Sequence, residues 1–315
     1  MKTYRIAGLL KTLSPLSHMM GTSGNESIIN RRAVKTNNGV KFIPSITGNS
    51  IRHRMIRESG KDFLIKQLGL EGKCTIDILN FMDNGGSLTE SSVTDNLKTI
   101  SELKELFPLY AVLGGSLRNQ ILSGSLFVSD GYLICEENRT TIEKILPNNF
   151  NLPEKQLLSC ESFISKYQYT RGDAKKNQRN IDYFNEVEKL NSVQEKSNLM
   201  IYNGQSIIEG SYFYHDFIMP NSNELELGAV LNSIKYWQDN YNTLGGSSRV
   251  GHGRLFMEIF VEPDEKEFDY YISLYKNHIN ANKEKCVQWL FDNLGDKPKK
   301  ESKKKKEIQE ESTLL

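Results

Sequence analysis

Apolar residues recur along this chain with two different periods, and the order of the periods restricts the folds open to it. Residues 3–13 alternate as a β-strand does, with Tyr4 and Ile6 on one side. Residues 224–239 carry apolar residues at steps of three and four, as an amphipathic helix does, and residues 254–261 are a second strong strand candidate. The whole order of strand, helix, strands, helix and strand predicts an α+β fold with a ferredoxin-like split βαβ sheet.

Polar segments interrupt this order. Residues 60–106 and 138–200 are mixed and polar, so we interpret both as insertions. The tail from Asp296 is charged and low in complexity, which predicts disorder. The weaker elements are a loop at 14–30, a helix that opens between Thr47 and Ser50, strands at 39–43, 125–135 and 206–219, and one or two helices at 265–294.

The composition is that of a globular chain. Of the 315 residues, 38% are hydrophobic and 25% are charged, which suits one large domain with insertions or two modest domains. No apolar run is long enough to span a bilayer, and the first residues turn polar too soon for a signal peptide. The four cysteines form no CxxC pair, so neither a zinc ribbon nor a disulfide framework is indicated. We therefore expect a cytoplasmic protein with no membrane partner.

The net charge of +1 conceals an uneven distribution of charge. Residues 1–57 hold ten basic residues and one acid, Glu26, and residues 297–306 hold seven lysines and one glutamate, so the rest of the chain is acidic. This pattern favours a polyanion bound to one face over a merely solvated charged surface. The ten basic residues are Lys2, Arg5, Lys11, Arg31, Arg32, Lys35, Lys41, Arg52, Arg54 and Arg57.

The predicted helix start at Gly48 is a candidate phosphate site. Free backbone amides and the helix dipole favour an anion at such a position. Arg54 and Arg57 are three residues apart, and we expect both to be exposed on one face of the helix. An ordinary capped helix with exposed arginines is the alternative, and the residues alone leave both open.

Residues 244–254 form a glycine-rich loop between a predicted helix and a predicted strand. Four glycines within nine residues let the main chain lie against a ligand with its amides turned toward an anion. Arg249 and Arg254 add positive charge. The loop is neither a Walker A loop nor a dinucleotide motif. Tight turns also need glycine, so a purely structural role stays open.

Residues 163–179 combine cations with aromatic side chains. Tyr167 and Tyr169 are interleaved with lysines and arginines, as in proteins that hold single-stranded nucleic acid without reading its sequence. A solvated, lysine-rich loop is the alternative. The cations are Lys166, Arg171, Lys175, Lys176 and Arg179.

The five histidines form no metal-binding pattern. None lies in an HExxH motif, and the chain has no GxSxG motif, so the sequence predicts neither a metal nor a cofactor. His18 and His252 lie in predicted loops. Each is a candidate acid–base group, although such histidines more commonly serve as hydrogen-bonding residues.

Six segments, taken in order, resemble the CRISPR-associated RAMP superfamily, in particular the backbone family called Cas seven and its type IV branch. The resemblance runs from about residue 4 to residue 261. Any one segment is weak evidence, whereas six in the family's order are specific. They are residues 13–18 (LSPLSH), the turn into the helix at 43–52 (IPSITGNSIR), residues 113–132, the thumb-like segment 169–175 (YTRGDAK), residues 224–229 (ELELGA) and the glycine-rich loop at 245–253.

The resemblance implies a hand-shaped fold with an RRM-like palm and inserted finger and thumb regions. In the family, copies stack along one guide RNA as a helical filament, and the thumb of each copy folds over the RNA of its neighbour. The implied partners are guide (CRISPR) RNA, complementary target DNA or RNA, further copies of the chain and other CRISPR effector subunits. The implied division of the domain at 1–295 is a palm at about 1–59, 107–137 and 201–262, a finger-like insertion at about 60–106, a thumb-like insertion at about 138–200 and C-terminal helices at 265–294.

The charge pattern, the glycine-rich segments and the resemblance together select candidate RNA-binding residues. We expect these residues to hold the RNA backbone and to leave sequence reading to base pairing. The candidates are Ser17, His18, Arg31, Arg32, Gly48, Asn49, Ser50, Arg52, Arg54, Arg57, Lys166, Tyr169, Arg171, Lys175, Lys176, Gly245, Gly246, Ser247, Arg249, Gly251, His252 and Arg254.

One position departs from the pattern of the type III relatives, which cleave target RNA with an aspartate in the loop after the first strand. Asn30 stands in the corresponding place, and an amide neither accepts a proton at neutral pH nor holds a divalent ion well. We therefore expect a non-catalytic subunit. The alternative is an RNA endonuclease of the same superfamily that uses Glu26, His18 or His252.

The lysine-rich tail gives a first testable prediction. Residues 296–315 have no apolar face apart from Leu314 and Leu315, so they bury little surface in any fold. Deleting them should leave the melting temperature almost unchanged, which differential scanning calorimetry measures directly. A large drop in melting temperature would instead show that the tail docks on the domain.

Overall fold

The first predicted strand becomes a central strand of the main sheet. This computed structural model describes residues 1–23, 26–36, 39–86, 97–117, 120–147, 158–171, 200–263 and 265–295. In it β1 (Lys2–Thr12) pairs with a neighbour on each side. Its side chains alternate, so that Ile6 and Leu10 face the main hydrophobic core, while Ala7 and Leu9 face a smaller cluster on the other side of the sheet.

The strand order confirms the predicted α+β class and matches a ferredoxin-like sheet. β13 (Leu255–Glu262) and β12 (Tyr212–Ser222) flank β1, and β9 (Gly131–Leu133) lies beyond β12, each antiparallel to its neighbour. Strands from the beginning, middle and end of the chain therefore share one sheet. Three further strands extend it, namely β4 (Arg31–Thr36), β5 (Gly39–Ile46) and β8 (Phe127–Val128).

The helix after β5 is longer than the sequence pattern indicates. It begins as α1 (Gly48–Ile51), continues through π-helical turns at Arg52–Glu58 and ends as α2 (Ser59–Leu68). It thus passes residue 59, where the palm was expected to end. α2 packs against α7 (Glu224–Asn240), the predicted amphipathic helix, which starts at a capping box formed by Asn223 and Glu226.

Further helices pack around α2 and α7. α8 (Phe268–Ala281) contacts α7, and α9 (Lys283–Leu294) contacts α2, which confirms two helices in the segment 265–294. The remaining helices are α3 (Ile76–Asn84), α4 (Leu97–Leu106), α5 (Pro108–Leu113), α6 (Arg139–Glu143) and the 3-10 turns at Cys160–Phe163 and Ser248–Val250.

A second sheet contains four strands. β10 (Ile164–Arg171) and β11 (Met200–Ile207) are antiparallel, β11 runs parallel to β3 (Glu26–Ile29), and β3 pairs with β2 (Met19–Ser23). The prediction of a loop throughout residues 14–30 is therefore wrong, because pairing with β11 holds this polar segment as strands. A two-stranded hairpin joins β6 (Gly115–Leu117) to β7 (Gln120–Leu122).

Some predictions lie outside the described residues. These include the tail at 296–315 and most of the thumb-like insertion, with Lys175, Lys176 and Arg179. The finger and thumb assignments thus stay predictions. Among the helices that the structure describes, none is long and apolar enough to cross a membrane.

His215 on β12 generates a prediction about stability in acid. The imidazole is fully buried, with its ring centroid 4.3 Å from that of Phe217. Burial lowers the pKa of His215 to about 4 from its ordinary value of 6.5. Between these pH values the unfolded chain binds a proton that the folded chain does not, so the free energy of unfolding falls as the pH drops.

We expect His215 to cost the wild-type protein roughly 2 kcal/mol of unfolding free energy between pH 7.5 and pH 5. Urea unfolding at the two pH values measures this loss. The variant His215→Leu, which has no titrating group at this position, should lose less over the same range by about that amount. Equal losses of unfolding free energy in both proteins would show that His215 is not the group that destabilises the protein in acid.

Candidate nucleic-acid interface

The glycine-rich loop packs directly on the segment that follows β1. The Gly246 amide donates a hydrogen bond of 2.7 Å to the Ser17 carbonyl, and the Gly253 amide donates one of 2.8 Å to the Pro15 carbonyl. Gly245 has φ +80°, and a Cβ there would lie 2.7 Å from the Ser17 carbonyl oxygen, so the close approach requires glycine. Two of the segments predicted to bind RNA are therefore one structural unit.

His252 joins this unit to the second sheet. Its Nδ1 lies 2.7 Å from the buried hydroxyl of Ser17, and its ring meets the Tyr167 ring edge-on at 5.0 Å. The sheet itself is attached nearby, because Leu16 pairs with Ile207 on β11. The structure thus brings together three segments that are far apart in the sequence.

Three tyrosines form an aromatic surface on β10 and β11, which we call the tyrosine face (Tyr167, Tyr169 and Tyr202). The Tyr167 and Tyr169 ring centroids are 6.3 Å apart, those of Tyr169 and Tyr202 are 5.1 Å apart, and both pairs are stacked within 15° of parallel. Tyr169 is 53% exposed. Gly204 lies beneath Tyr167, and a Cβ at this position would come within 2.6 Å of the Tyr167 hydroxyl.

Two exposed cations, Arg249 and Arg254, belong to the glycine-rich loop, whose His252 contacts Tyr167. Lys166 on β10 is also exposed, but strand alternation places its side chain on the face opposite Tyr167 and Tyr169. Arg171 ends β10, whereas Lys175 and Lys176 lie outside the described residues. Sequence reasoning missed Tyr202, because the strand candidate in this region was placed only from residue 206, after most of β11; the alternation of Tyr202 with Gly204 and Ser206 was the available signal.

The helix start differs from the predicted phosphate site, because the protein's own groups occupy it. The Gly48 amide donates to Asp130 Oδ1 at 2.7 Å, and the Thr47 amide donates to His18 Nε2 at 3.1 Å. The Thr47 hydroxyl in turn accepts from the Ser50 amide. Asp130 therefore supplies the negative charge that the helix dipole favours. Asn49 remains exposed beside it.

Arg54 and Arg57 are not exposed together on one face of this helix, so that prediction is wrong. Arg57 is only 5% exposed and donates to the carbonyls of Met82 and Gly114. Arg52 is half-buried and donates to the Leu113 carbonyl. The helix turns Arg52 and Arg57 toward the C-terminal ends of α3 and α5, whose carbonyl groups accept their hydrogen bonds.

Arg54 is also committed within the fold. It forms an ion pair with Glu58, and its guanidinium carbon lies 4.9 Å from the centre of the Tyr241 ring. Cation–π contacts of this kind stabilise a side chain in place. The helix therefore offers little free positive charge to a phosphate.

Acidic residues from elsewhere neutralise much of the basic amino-terminal block. Arg31 contacts Glu161 at 2.5 Å and Arg32 contacts Asp130 at 2.7 Å. Two further pairs are Lys2 with Glu265 at 2.5 Å and Arg5 with Asp216 at 3.2 Å. The block consequently presents less positive charge to a polyanion than its composition indicates.

The candidate acid–base residues have structural partners. Burial lowers the pKa of His18 and that of His252, so both imidazoles are neutral near pH 7. Asn30 is buried, and its amide donates to the carbonyl and the hydroxyl of Ser45. In the described part of the chain, no group of three or more His, Cys, Asp or Glu residues is placed to hold a metal ion.

Comparison with known proteins gives a fold-level likeness. No protein-family model and no curated protein matches the chain. Among solved structures, its fold is similar to that of a chain in a "Type IV-B CRISPR Complex", with a TM-score of 0.56 and 17% sequence identity. The match covers 84% of this chain and 92% of that chain. At this level of identity the likeness shows the fold.

Arg57 gives a prediction that separates folding from binding. Arg57→Ala removes the hydrogen bonds to Met82 and Gly114 and leaves a cavity, so it should lower the free energy of unfolding by roughly 2–4 kcal/mol. Arg249→Ala, at an exposed loop position, should change it by less than about 0.5 kcal/mol. Urea unfolding of both variants tests this. If the Arg57→Ala protein were as stable as the wild type, Arg57 would again be a candidate RNA-binding residue at the surface.

Proposed function

We propose that the chain is a non-catalytic, RNA-binding subunit of a CRISPR effector complex. Two observations support this. The fold is similar to that of a chain in a Type IV-B CRISPR complex, and the sequence resembles the RAMP backbone family in six segments. The bound RNA is the guide RNA, and the partners are its complementary target, further copies of the chain and other effector subunits.

The tyrosine face beside the glycine-rich loop is the observation that carries the proposal. Stacked, partly exposed rings accept unpaired bases irrespective of their identity, because every base has a flat aromatic surface. The loop next to them carries Arg249 and Arg254, which attract phosphate groups. A single RNA strand crossing this surface meets both kinds of group at once.

The interface proposed here is narrower than the set of candidates in the sequence. It comprises Tyr169, Tyr202, Arg249 and Arg254, with the exposed Gly245, Gly246 and Gly251 of the loop, whereas Lys166 lies on the opposite face of β10. Arg52, Arg54 and Arg57 serve the fold, since each bonds to groups of the chain itself. Ser17 and His252 position the loop against the sheet and contact the RNA only through it.

The absence of catalysis is part of the same proposal. Asn30 is engaged with Ser45, so its side chain holds β5 next to the segment after β3. His18 Nε2 accepts a hydrogen bond from the Thr47 amide at the helix start, so this nitrogen is not free to take a proton from a substrate. Both arrangements support the proposal, because the Asn30 amide and the His18 Nε2 atom are engaged within the fold.

RNA binding by purified protein tests the proposal. We expect multimers on single-stranded RNA and an affinity that falls as salt rises, because bound phosphates release counterions. Tyr169→Ala should weaken binding roughly tenfold, since base stacking contributes about 1–3 kcal/mol per base. Tyr270→Ala removes another exposed tyrosine on α8 and serves as the matched control, with unchanged binding expected.

Two results would contradict the proposal. Wild-type protein that binds no single-stranded RNA, or that binds it equally well without Tyr169, would exclude this interface. Regularly spaced cleavage of labelled complementary RNA in magnesium, abolished by Glu26→Ala or His18→Ala, would instead identify the chain as the alternative endonuclease. Intact RNA on a multimeric complex supports the scaffold.

A further inference from the structure

The hairpin of β4 and β5, at the edge of the main sheet, presents an apolar surface to solvent. Val40 and Phe42 are each 61% exposed. The register pairs Val40 with Lys35 and Phe42 with Ala33, and paired residues point to the same side of a hairpin. Among the described residues, the exposed Lys35 has no ion-pair partner. We call this surface the hairpin knob (Ala33, Lys35, Val40 and Phe42).

A groove of about 470 Å³ lies between α4 and α9. The apolar residues that line it are Leu106 and Trp289, and polar and charged residues complete the lining. Glu284 and Asp292 are exposed, and neither has an ion-pair partner in the described part of the chain. We call this surface the acidic groove, and its charged residues are three carboxylates and one ammonium group (Glu102, Glu284, Asp292 and Lys285).

The hairpin knob and the acidic groove complement each other in polarity and charge. The Phe42 ring gains free energy when it leaves water, and Leu106 and Trp289 offer it apolar contact. Lys35, on the same side of the hairpin, brings a positive charge to a groove that carries an excess of carboxylates. The described residues of the chain itself leave both surfaces open, so a second copy can satisfy both.

We propose that the hairpin knob of one copy docks in the acidic groove of a second copy. This inference rests on the proposed function, in which further copies of the chain are partners, and it names the surfaces that meet. The contact joins two different surfaces, because two knobs would bring lysines together and two grooves would bring carboxylates together. Each added copy leaves one free knob and one free groove, so the contact repeats in one direction.

The small size of the hairpin knob makes this contact weak by itself. Stable interfaces bury about 1,200–2,000 Å² in total, and four side chains of one hairpin supply only part of that area. Two copies on one RNA strand, however, have a high effective concentration for each other. We therefore expect monomers in dilute solution without RNA, and cooperative binding to RNA that is long enough for several copies.

The first test compares a short and a long single-stranded RNA by fluorescence anisotropy. The short RNA is the longest one that holds a single copy in sedimentation velocity, and the long RNA holds several. Phe42→Ala should weaken binding to the long RNA roughly tenfold, because a buried aromatic contact between copies is lost, and should leave binding to the short RNA unchanged. Phe256→Ala, at a 46% exposed position on β13, is the matched control, with both affinities retained.

Charge reversal tests which two surfaces meet. Lys35→Glu and Glu284→Lys should each reduce the cooperativity on the long RNA, because each places like charges across the contact. The protein that carries both substitutions should recover cooperativity, because the two charges have exchanged places. Two separate folding defects would add to each other, so recovery identifies the pair of surfaces, and a double variant worse than either single one would overturn the docking.

Crosslinking of concentrated protein decides the docking without RNA. A carbodiimide joins a lysine to a carboxylate in direct contact, and a mixture of isotope-labelled and unlabelled copies shows in mass spectrometry which links connect two copies. Links from Lys35 to Glu102, Glu284 or Asp292 of the other copy support the proposal. Links to the groove from the lysines of residues 297–306 in place of Lys35, or none between copies, would overturn it. Unchanged cooperativity in Phe42→Ala would also overturn the docking and leave the proposed function intact, whereas wild-type protein that binds no RNA but forms the Lys35 links would exclude the function alone.

Discussion

The carboxylate of Asp130 at the start of α1 is the interaction on which the arrangement of the candidate interface depends. It accepts from the Gly48 amide at 2.7 Å and contacts Arg32 on β4 at the same distance. One side chain therefore links the turn before β9, the long helix and the outer hairpin of the main sheet. His18 completes the helix start through the Thr47 amide and so fixes the segment after β1. The glycine-rich loop then packs on that fixed segment.

The amides at this helix start are paired with side chains of the protein itself, and this pairing has an electrostatic consequence. An anion is stabilised at a helix N-terminus because unpaired amides and the dipole act together. Here the protein supplies the anion, and ion pairs such as Arg31 with Glu161 neutralise cations nearby. The proposed RNA contact therefore moves away from the basic block to the tyrosine face, where stacking replaces much of the charge attraction. Binding through stacking depends less on salt than binding through phosphate contacts alone.

The sequence predicted the fold class well because periodicity reports which faces are buried. β1, α7 and β13 have strong alternation or a clear apolar stripe, and the structure places all three around the main core. The strands β2 and β3 escaped prediction because polar residues such as Ser27 are held there by pairing with β11, a contact from residues far along the chain. A local sequence pattern does not show which distant strand a segment will pair with.

The same limit applies to the candidate site. The glycine-rich loop was found because glycine signals close backbone contact, and the structure shows that contact at Gly245. The arginines were misplaced because charge alone does not show whether a side chain meets solvent or a buried carbonyl, as Arg57 does. Asp130 was missed because its partner, the Gly48 amide, is distant in sequence. The role of each of these residues depends on contacts with segments that are far away in the sequence. Such contacts exist only in the folded protein.

The second sheet differs from the main sheet in what stabilises it. One end is anchored in the core by Ile207, Ile29 and Leu16, all of which are buried. Farther along, β10 and β11 carry tyrosines on one face and amides on the other. A strand pair with little apolar cover is only marginally stable in water, so the stacking of Tyr167, Tyr169 and Tyr202 contributes to holding β10 against β11. Under the proposed function, a base that stacks on these rings adds to the order of the two strands.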